Sequence, residues 1–345
     1  MEILDVSTWS LGVIALAFAL SGGVIAGAGT ALTRAADVFA DLTGLGEALV
    51  GAVLLGAMTS LAGVVTSLAA AAEGYPVLSV SNAIGGIAIQ TLFLAVADIS
   101  YRKANLEHAA ASLANLMSSA LLLGLLVLLL LVIVSPEVTV WGVHPGSPLV
   151  LAAYLAGLSL SHRASREPLW RPVLTRQTVE DVPDRASEEQ ELAGVVLRLV
   201  VSGAFVAAAG WLIAETGAEL SERTALSESF VGSLFTAFAT SLPELVVSIQ
   251  AVRQGALTLA VGNIVGGNSF EVLVVAAADF VYRDGSILHA ATASQAFIVA
   301  LTALLMAVLL IGLLLRQRKG LGGIGWESSL IIVLFVGGYA VLFTL

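Results

Sequence analysis

No cysteine occurs among the 345 residues, so disulfides, thiolate metal sites and cysteine nucleophiles are excluded, and the redox compartment leaves no mark on the chain. Charge is scarce as well. Asp, Glu, Lys and Arg make up 12% of the residues, against roughly 25% in an ordinary soluble domain. The net charge of −10 argues against nucleic acid as a partner. Hydrocarbon fills the place of charge, at 58% hydrophobic residues. That is the composition of a polytopic membrane protein, and a poor one for a soluble enzyme.

Apolar segments of about 20 residues, long enough to cross a ~30 Å hydrocarbon layer, run roughly over 9–32, 44–72, 77–100, 109–135, 192–214, 226–252, 257–281, 288–315 and 327–345. A shorter tenth lies near 147–161. The first run ends in small residues like a signal peptide, yet its leader "MEILD" is acidic where a signal needs positive charge, so it is read as a span.

An internal repeat dominates the sequence. Setting residue n against n + 181 aligns Thr59 with Thr240, Asn82 with Asn263, Gly85 and Gly86 with Gly266 and Gly267, Asp98 with Asp279, Tyr101 with Tyr282, and His108 with His289, without a gap. Over 44–102 there are 22 identities in 59 positions. The expected fold is therefore an all-α polytopic membrane protein of ten transmembrane helices. A first five-helix repeat would occupy 1–162, a cytoplasmic linker 163–191 and a second five-helix repeat 192–345. Five spans per repeat force the halves to be inverted. With both termini external, thirteen of the fifteen Lys and Arg fall on the cytoplasmic side, and only Arg223 and Arg283 fall outside. Inverted repeats are an architecture of secondary transporters, with the substrate site at the bilayer midplane where the halves meet.

The polar residues in the middle of the repeat-related spans are thus site candidates. "TSLPELVVSI" carries Thr240, Ser241, Pro243, Glu244 and Ser248 within an apolar run. A proline inside a helix displaces the carbonyl four residues back, here that of Ala239, and Thr240 and Glu244 share a helix face. An acid at the membrane centre costs about 2.5–3.5 kcal/mol on translocon scales, so Glu244 is paired, protonated or facing a wet cavity. "GNIVGGNSFE" adds Asn263, Gly267, Asn268 and Glu271. The matching stretches "TSLAGVVTSL" and "SNAIGGIAIQ" hold Thr59, Ser60, Gly63, Asn82, Gly86 and Gln90, with no acid.

"TSLPE" followed by "GNIVGGN" resembles the second alpha repeat of the calcium/cation antiporter superfamily, the sodium/calcium exchanger group. The resemblance implies a cation pocket formed by Glu244, Thr240, Ser241, the Ala237 carbonyl, Gly267 and Glu271 from the second half. From the first half it implies Thr59, Ser60, the Gly56 carbonyl, Gly63, Gly86 and Gln90. Gly63 stands where that family has a second motif acid, Ala62 where it has proline, and Gly86 and Gly267 where it has serine. The resemblance implies a secondary antiporter exchanging Ca²⁺ for Na⁺ or H⁺ in the plasma membrane, with no catalysis and no cofactor. Its partners would be the lipid bilayer and inorganic cations. A divergent member that carries only monovalent cations, or a non-transporting membrane partner, is the alternative.

Other features have plainer readings. Asp98 and Asp279, each followed by Tyr and Arg, read as ion-pair anchors at the interface. Glu47 and Glu228 suit the positive ends of helices, and His108 and His289 read as polar helix ends. Gly23 and Gly27 form a packing notch. "GLGGIG" at 320–325 follows a membrane span rather than a strand, so it is no dinucleotide fingerprint. Ser187 and Gln190 form a capping box in the linker. Because the chain has no cysteine of its own, Ser187→Cys reports the linker's side: it is expected to react with an impermeant maleimide only once the cytoplasmic face is opened, and labelling of intact cells contradicts the orientation.

Overall fold

The computed structural model describes residues 5–43, 59–101, 104–110, 112–166, 191–224, 226–254, 257–318 and 324–345, together with Pro168, Val173, Thr175 and Gly320. The described residues are helical apart from their turns and one isolated bridge between Val140 and Val143. The helices are α1 (Leu11–Thr43), α2 (Leu61–Ala72), α3 (Pro76–Ser100), the short α4 (Leu106–Ala109), α5 (Leu113–Ile133) and α6 (Gly146–Arg166). After the linker come α7 (Leu192–Arg223), α8 (Glu228–Thr240), α9 (Leu242–Gln254), α10 (Leu257–Val281), α11 (Ala293–Leu315) and α12 (Trp326–Leu342). Gly56, Glu47, Ser187 and Gln190 lie outside the described residues.

Among the described residues six helices are long and apolar enough to cross a membrane, and a seventh span is counted if the bent pair α8 and α9 is one unit. Burial sorts them. In α3 and α10, 78% and 67% of the apolar window is buried, whereas in α1 and α7 the share is 22% each. α3 and α10 therefore form the axis of the molecule, and α1 and α7 turn most of their surface outward. Exposed Leu16, Leu20, Leu197, Val200 and Phe205 on that outer pair suit contact with lipid. A small core of Ile25, Leu32, Ala62, Val206, Ala209, Ile213 and Ala239 fastens α1 and α7 to α2 and α8, while the main core runs through α3, α5, α10, α11 and α12.

Side-chain caps start several helices. The Ser112 hydroxyl accepts from Asn115 N at 3.1 Å, the Ser227 hydroxyl from Phe230 N at 3.3 Å, and Thr292 and Gln295 make a capping box at α11. Pro243 differs from the sequence expectation. The chain breaks at Ser241 (φ −93°, ψ 6°), α8 and α9 meet at 48°, and Pro243 is the second residue of α9. It lies in a first turn, where a missing N–H costs nothing, and not inside a helix.

Within α8, Val231–Thr236 forms a π-helical turn. Gly85 of α3 lies against it so closely that a Cβ would fall 2.3 Å from the Ser233 carbonyl oxygen, and the Tyr339 hydroxyl donates to that oxygen at 2.9 Å. A π turn breaks the regular carbonyl pattern, and here a phenol from α12 takes up the slack.

The aspartates of the repeat are not ion-pair anchors. Asp98 accepts from Leu106 N at 2.7 Å and Gly325 N at 2.9 Å. Asp279 accepts from Ile287 N at 2.8 Å and His144 N at 2.9 Å. The donors are themselves 181 residues apart, so one carboxylate at each end of the axis ties the turn that follows its own helix to the start of a distant helix, α12 or α6. The only ion pair among the described residues joins Arg223 to Glu219.

Candidate cation site

The break between α8 and α9 turns Thr240, Ser241 and Glu244 toward the middle of α3 and α10. Glu244 is 2% exposed and Glu271 5%, so both acids are shut off from solvent. Gln90 donates through Nε2 to Glu271 Oε1 at 2.7 Å and to the Ser241 hydroxyl at 3.3 Å. Gln90 and Glu271 occupy the same repeat position, 181 residues apart, and meet face to face. Both oxygens of Glu244 and Oε2 of Glu271 have no hydrogen-bond partner among the described residues, although Glu244 lies close enough to feel the charge of Glu271. Buried carboxylate oxygens with no donor call for a cation or a proton.

The glycines of the first repeat face these acids. A Cβ on Gly63 would stand 3.8 Å from Glu271 Oε1, 3.9 Å from Thr240 Oγ1 and 4.0 Å from Asn82 Nδ2, an ordinary contact distance. The position that matches Glu244 therefore faces the same groups, with room for a Cβ. On Gly86 a Cβ would fall 2.7 Å from Glu271 Oε2, so its absence seats the carboxylate. On Gly267, its partner in the other half, a Cβ would stand 3.8 Å from each of the Thr59 and Ser60 hydroxyls.

Thr59, Ser60, Thr240, Ser241, Glu244, Gln90, Glu271 and Gly267 are thus brought together. Others stand aside. The Ala237 carbonyl accepts from Ser241 N at 3.0 Å and from the Thr240 hydroxyl at 3.2 Å, which occupies both lone pairs. Asn82 acts as a strut, donating to the Gly63 carbonyl at 3.2 Å and the Ser67 hydroxyl at 2.9 Å and accepting from the Thr236 hydroxyl at 2.8 Å. Asn268 donates to the Ile87 carbonyl at 3.5 Å, and neither side-chain atom of Asn263 finds a partner among the described residues. Sequence reasoning missed Ser67 and Thr236, which hold Asn82. Ser67 had a signal, being the repeat partner of Ser248; Thr236 had none.

The family model for "sodium/calcium exchanger protein" matches residues 13–160 and 194–345. The chain belongs to that family. It is 26% identical over 316 residues to the inner membrane protein YrbG of Escherichia coli (strain K12), covering 90% of this chain and 89% of that protein. To the sodium/calcium exchanger MaX1 of Methanosarcina acetivorans it is 26% identical over 148 residues, 43% of this chain and 40% of that protein. A further relative is matched over 51% of its length, so the chain spans about half or less of these last two. Among solved structures, the H⁺/Ca²⁺ exchanger CAX superposes with a TM-score of 0.68 at 14% identity over 96% of this chain and 85% of that one, a likeness of fold.

The unequal glycine environments give a test. Gly86→Ala is expected to push the Glu271 carboxylate off Gln90 and weaken the thermal stabilisation conferred by a bound cation, with affinity down roughly tenfold (~1.4 kcal/mol). Gly267→Ala is expected to leave it within twofold. Equal effects of the two substitutions contradict this geometry.

Proposed function

We propose that this protein is a secondary cation antiporter that exchanges Ca²⁺ for Na⁺ or H⁺ by alternating access at one shared pocket. The observation that carries the reading is the pair of buried acids, Glu244 and Glu271, with three carboxylate oxygens that find no hydrogen-bond partner among the described residues. Two carboxylates neutralise one divalent ion, and Ca²⁺ takes 6–8 oxygen ligands. The Thr59, Ser60, Thr240 and Ser241 hydroxyls, the Gln90 and Asn268 amide oxygens and the Gly56 carbonyl are the neutral oxygens assigned to the shell, with Ala237, Asn82, Asn263 and Gly267 shaping it. A Na⁺ ion or protons on the two acids discharge the same pocket, so either occupant permits the change of facing that the other drives. MaX1 and CAX, by name a sodium/calcium and an H⁺/Ca²⁺ exchanger, support both couplings.

The proposed architecture is ten spans in two inverted five-helix repeats, 1–162 and 192–345. A cytoplasmic linker occupies 163–191, both termini are external, and the plasma membrane is the host. The matched hydrogen bonds of Asp98 and Asp279 support equivalent halves. A second reading rests on Gly63: the first repeat contributes no acid there, which favours transport of monovalent cations alone.

Proteoliposome flux separates the two. Wild type is expected to take up ⁴⁵Ca²⁺ against a Na⁺ or H⁺ gradient, and Glu244→Gln to lose at least a hundredfold in rate, ~2.7 kcal/mol, since one remaining acid leaves a divalent ion with excess charge. Normal Ca²⁺ exchange by Glu244→Gln contradicts the assignment, and monovalent exchange without Ca²⁺ uptake by wild type selects the second reading.

A further inference from the structure

A second pair of acids is buried at one end of the axis, away from the cation pocket. Glu107 of α4 and Glu327 at the start of α12 are 1% and 0% exposed. Their carboxyl groups lie within hydrogen-bonding reach of each other, and Asp98 of α3 stands close to both. The Ser328 hydroxyl donates to Glu107 Oε1 at 3.4 Å. Glu107 Oε2 and both oxygens of Glu327 find no donor among the described residues. Two ionised carboxylates offer acceptors only, so neither satisfies the other. A proton on one of them supplies the missing donor.

The other end of the axis shows what this arrangement lacks. There Asp279 takes the Ser286 and Ser147 hydroxyls at 2.6 Å each besides its two backbone donors. The residues matching Glu107 and Glu327 are Leu288 and Gly146, so neither of the two repeat-related positions carries an acid. At the acidic end Ser328, the partner of Ser147, has turned from the aspartate to Glu107, and Asn105 replaces Ser286. α11 meets Glu327 at Gly312, where a Cβ would fall 2.6 Å from the Glu327 stem. The glycine therefore makes room for the acid and adds no charge of its own.

Of the remaining polar neighbours, Asn105 leaves its Nδ2 without a partner among the described residues, while His108 and Arg316 are engaged elsewhere. The His108 ring contacts the Arg316 carbonyl at 2.7 Å and the Thr175 hydroxyl at 2.9 Å. The Arg316 guanidinium donates to the carbonyls of Val173 and His108. Burial, then the charge of Asp98, then that of Glu327 hold the Glu107 carboxyl well above the ordinary carboxylate range.

We propose that Glu107 and Glu327 form a proton-binding site distinct from the cation pocket, in which one shared proton joins the 104–110 turn to α12. Release of that proton to solvent leaves two carboxylates beside Asp98 and drives the turn from the helix. In the topology proposed above this end faces the cytoplasm, so the site answers to internal pH. The sign follows from the raised affinity: the stabilisation is present at low pH and is lost as pH rises through the folded-state value.

Thermal unfolding of the full-length protein in detergent, in buffer free of Na⁺ and Ca²⁺, tests this. Between pH 6 and pH 9 wild type is expected to lose a few degrees more than either Glu107→Gln or Glu327→Gln, each of which keeps a donor between the two groups without titrating. Parallel curves overturn the site. An infrared reading stands independently of how those variants fold. The Glu244→Gln/Glu271→Gln protein, which lacks the pocket acids, is expected to keep a protonated-carboxyl carbonyl stretch at neutral pH and lose it on alkalinisation, and absence of that band overturns the proposal. Stabilisation of the same protein by added Na⁺ or Ca²⁺ at pH 9, abolished by Glu107→Gln, makes the occupant a metal cation and likewise overturns it.

Discussion

Negative charge without enough donors, held where water does not reach, is the constraint on which this molecule depends. Glu244 and Glu271 are buried at the crossing of α9 and α10 with α3, and three of their four oxygens find no partner among the described residues. An uncompensated charge in a low-dielectric interior is strongly destabilising, while a compensated one is tolerated. In the function proposed above, the occupant of the pocket is thus a structural element as much as a cargo. Much of the surrounding packing serves to bring the acids together. The break at Ser241 aims Glu244, the glycine contact of Gly85 with the π turn of α8 lets α3 approach, and Gly86 gives the Glu271 carboxylate its seat.

Internal symmetry then determines which groups meet. Residues 181 apart oppose each other near the axis, as Gln90 and Glu271 do at 2.7 Å. Had both been acids, a proton or cation would be required between them; as amide and acid they bond at once, and the amide fixes the orientation of the carboxylate. The same logic runs in reverse at Glu107 and Glu327, where two acids face each other with no amide. The halves have diverged by exchanging acids for neutral groups at paired positions, and each exchange changes what has to bind between them.

The all-helical membrane fold was legible because composition and apolar run length are properties of the chain alone. The repeat offset also carried much of the pocket: Thr59, Gly63, Gly86 and Gln90 were located by subtracting 181 from second-half residues, and they converge. What a linear pattern hides is backbone geometry and direction. Pro243 read as a helix interruption because periodicity continues across it, while the structure uses it to start α9. Asp98 and Asp279 read as ion-pair anchors because arginines follow them in sequence, yet their carboxylates take backbone N–H groups from turns eight residues on and from a helix start far along the chain. Asn82 and Asn268 read as site residues by residue type, and the structure adds that Asn82 ties α3 to α2 and α8 while the Asn268 Nδ2 reaches the Ile87 carbonyl. Glu107 and Glu327 drew no attention, for their pairing depends on two turns meeting at one end of the bundle.

The central claim is that the two halves share one pocket in which position 63 and position 244 are equivalent. The contact of the Gly63 position with Glu271 and Thr240 makes this directly testable by moving the acid from one half to the other. Gly63→Glu, introduced into the chain that carries Glu244→Gln, is expected to restore Na⁺- or H⁺-driven ⁴⁵Ca²⁺ exchange in proteoliposomes, because the pocket again holds two carboxylates around the same space. A folded double variant no more active than Glu244→Gln alone would contradict the shared pocket.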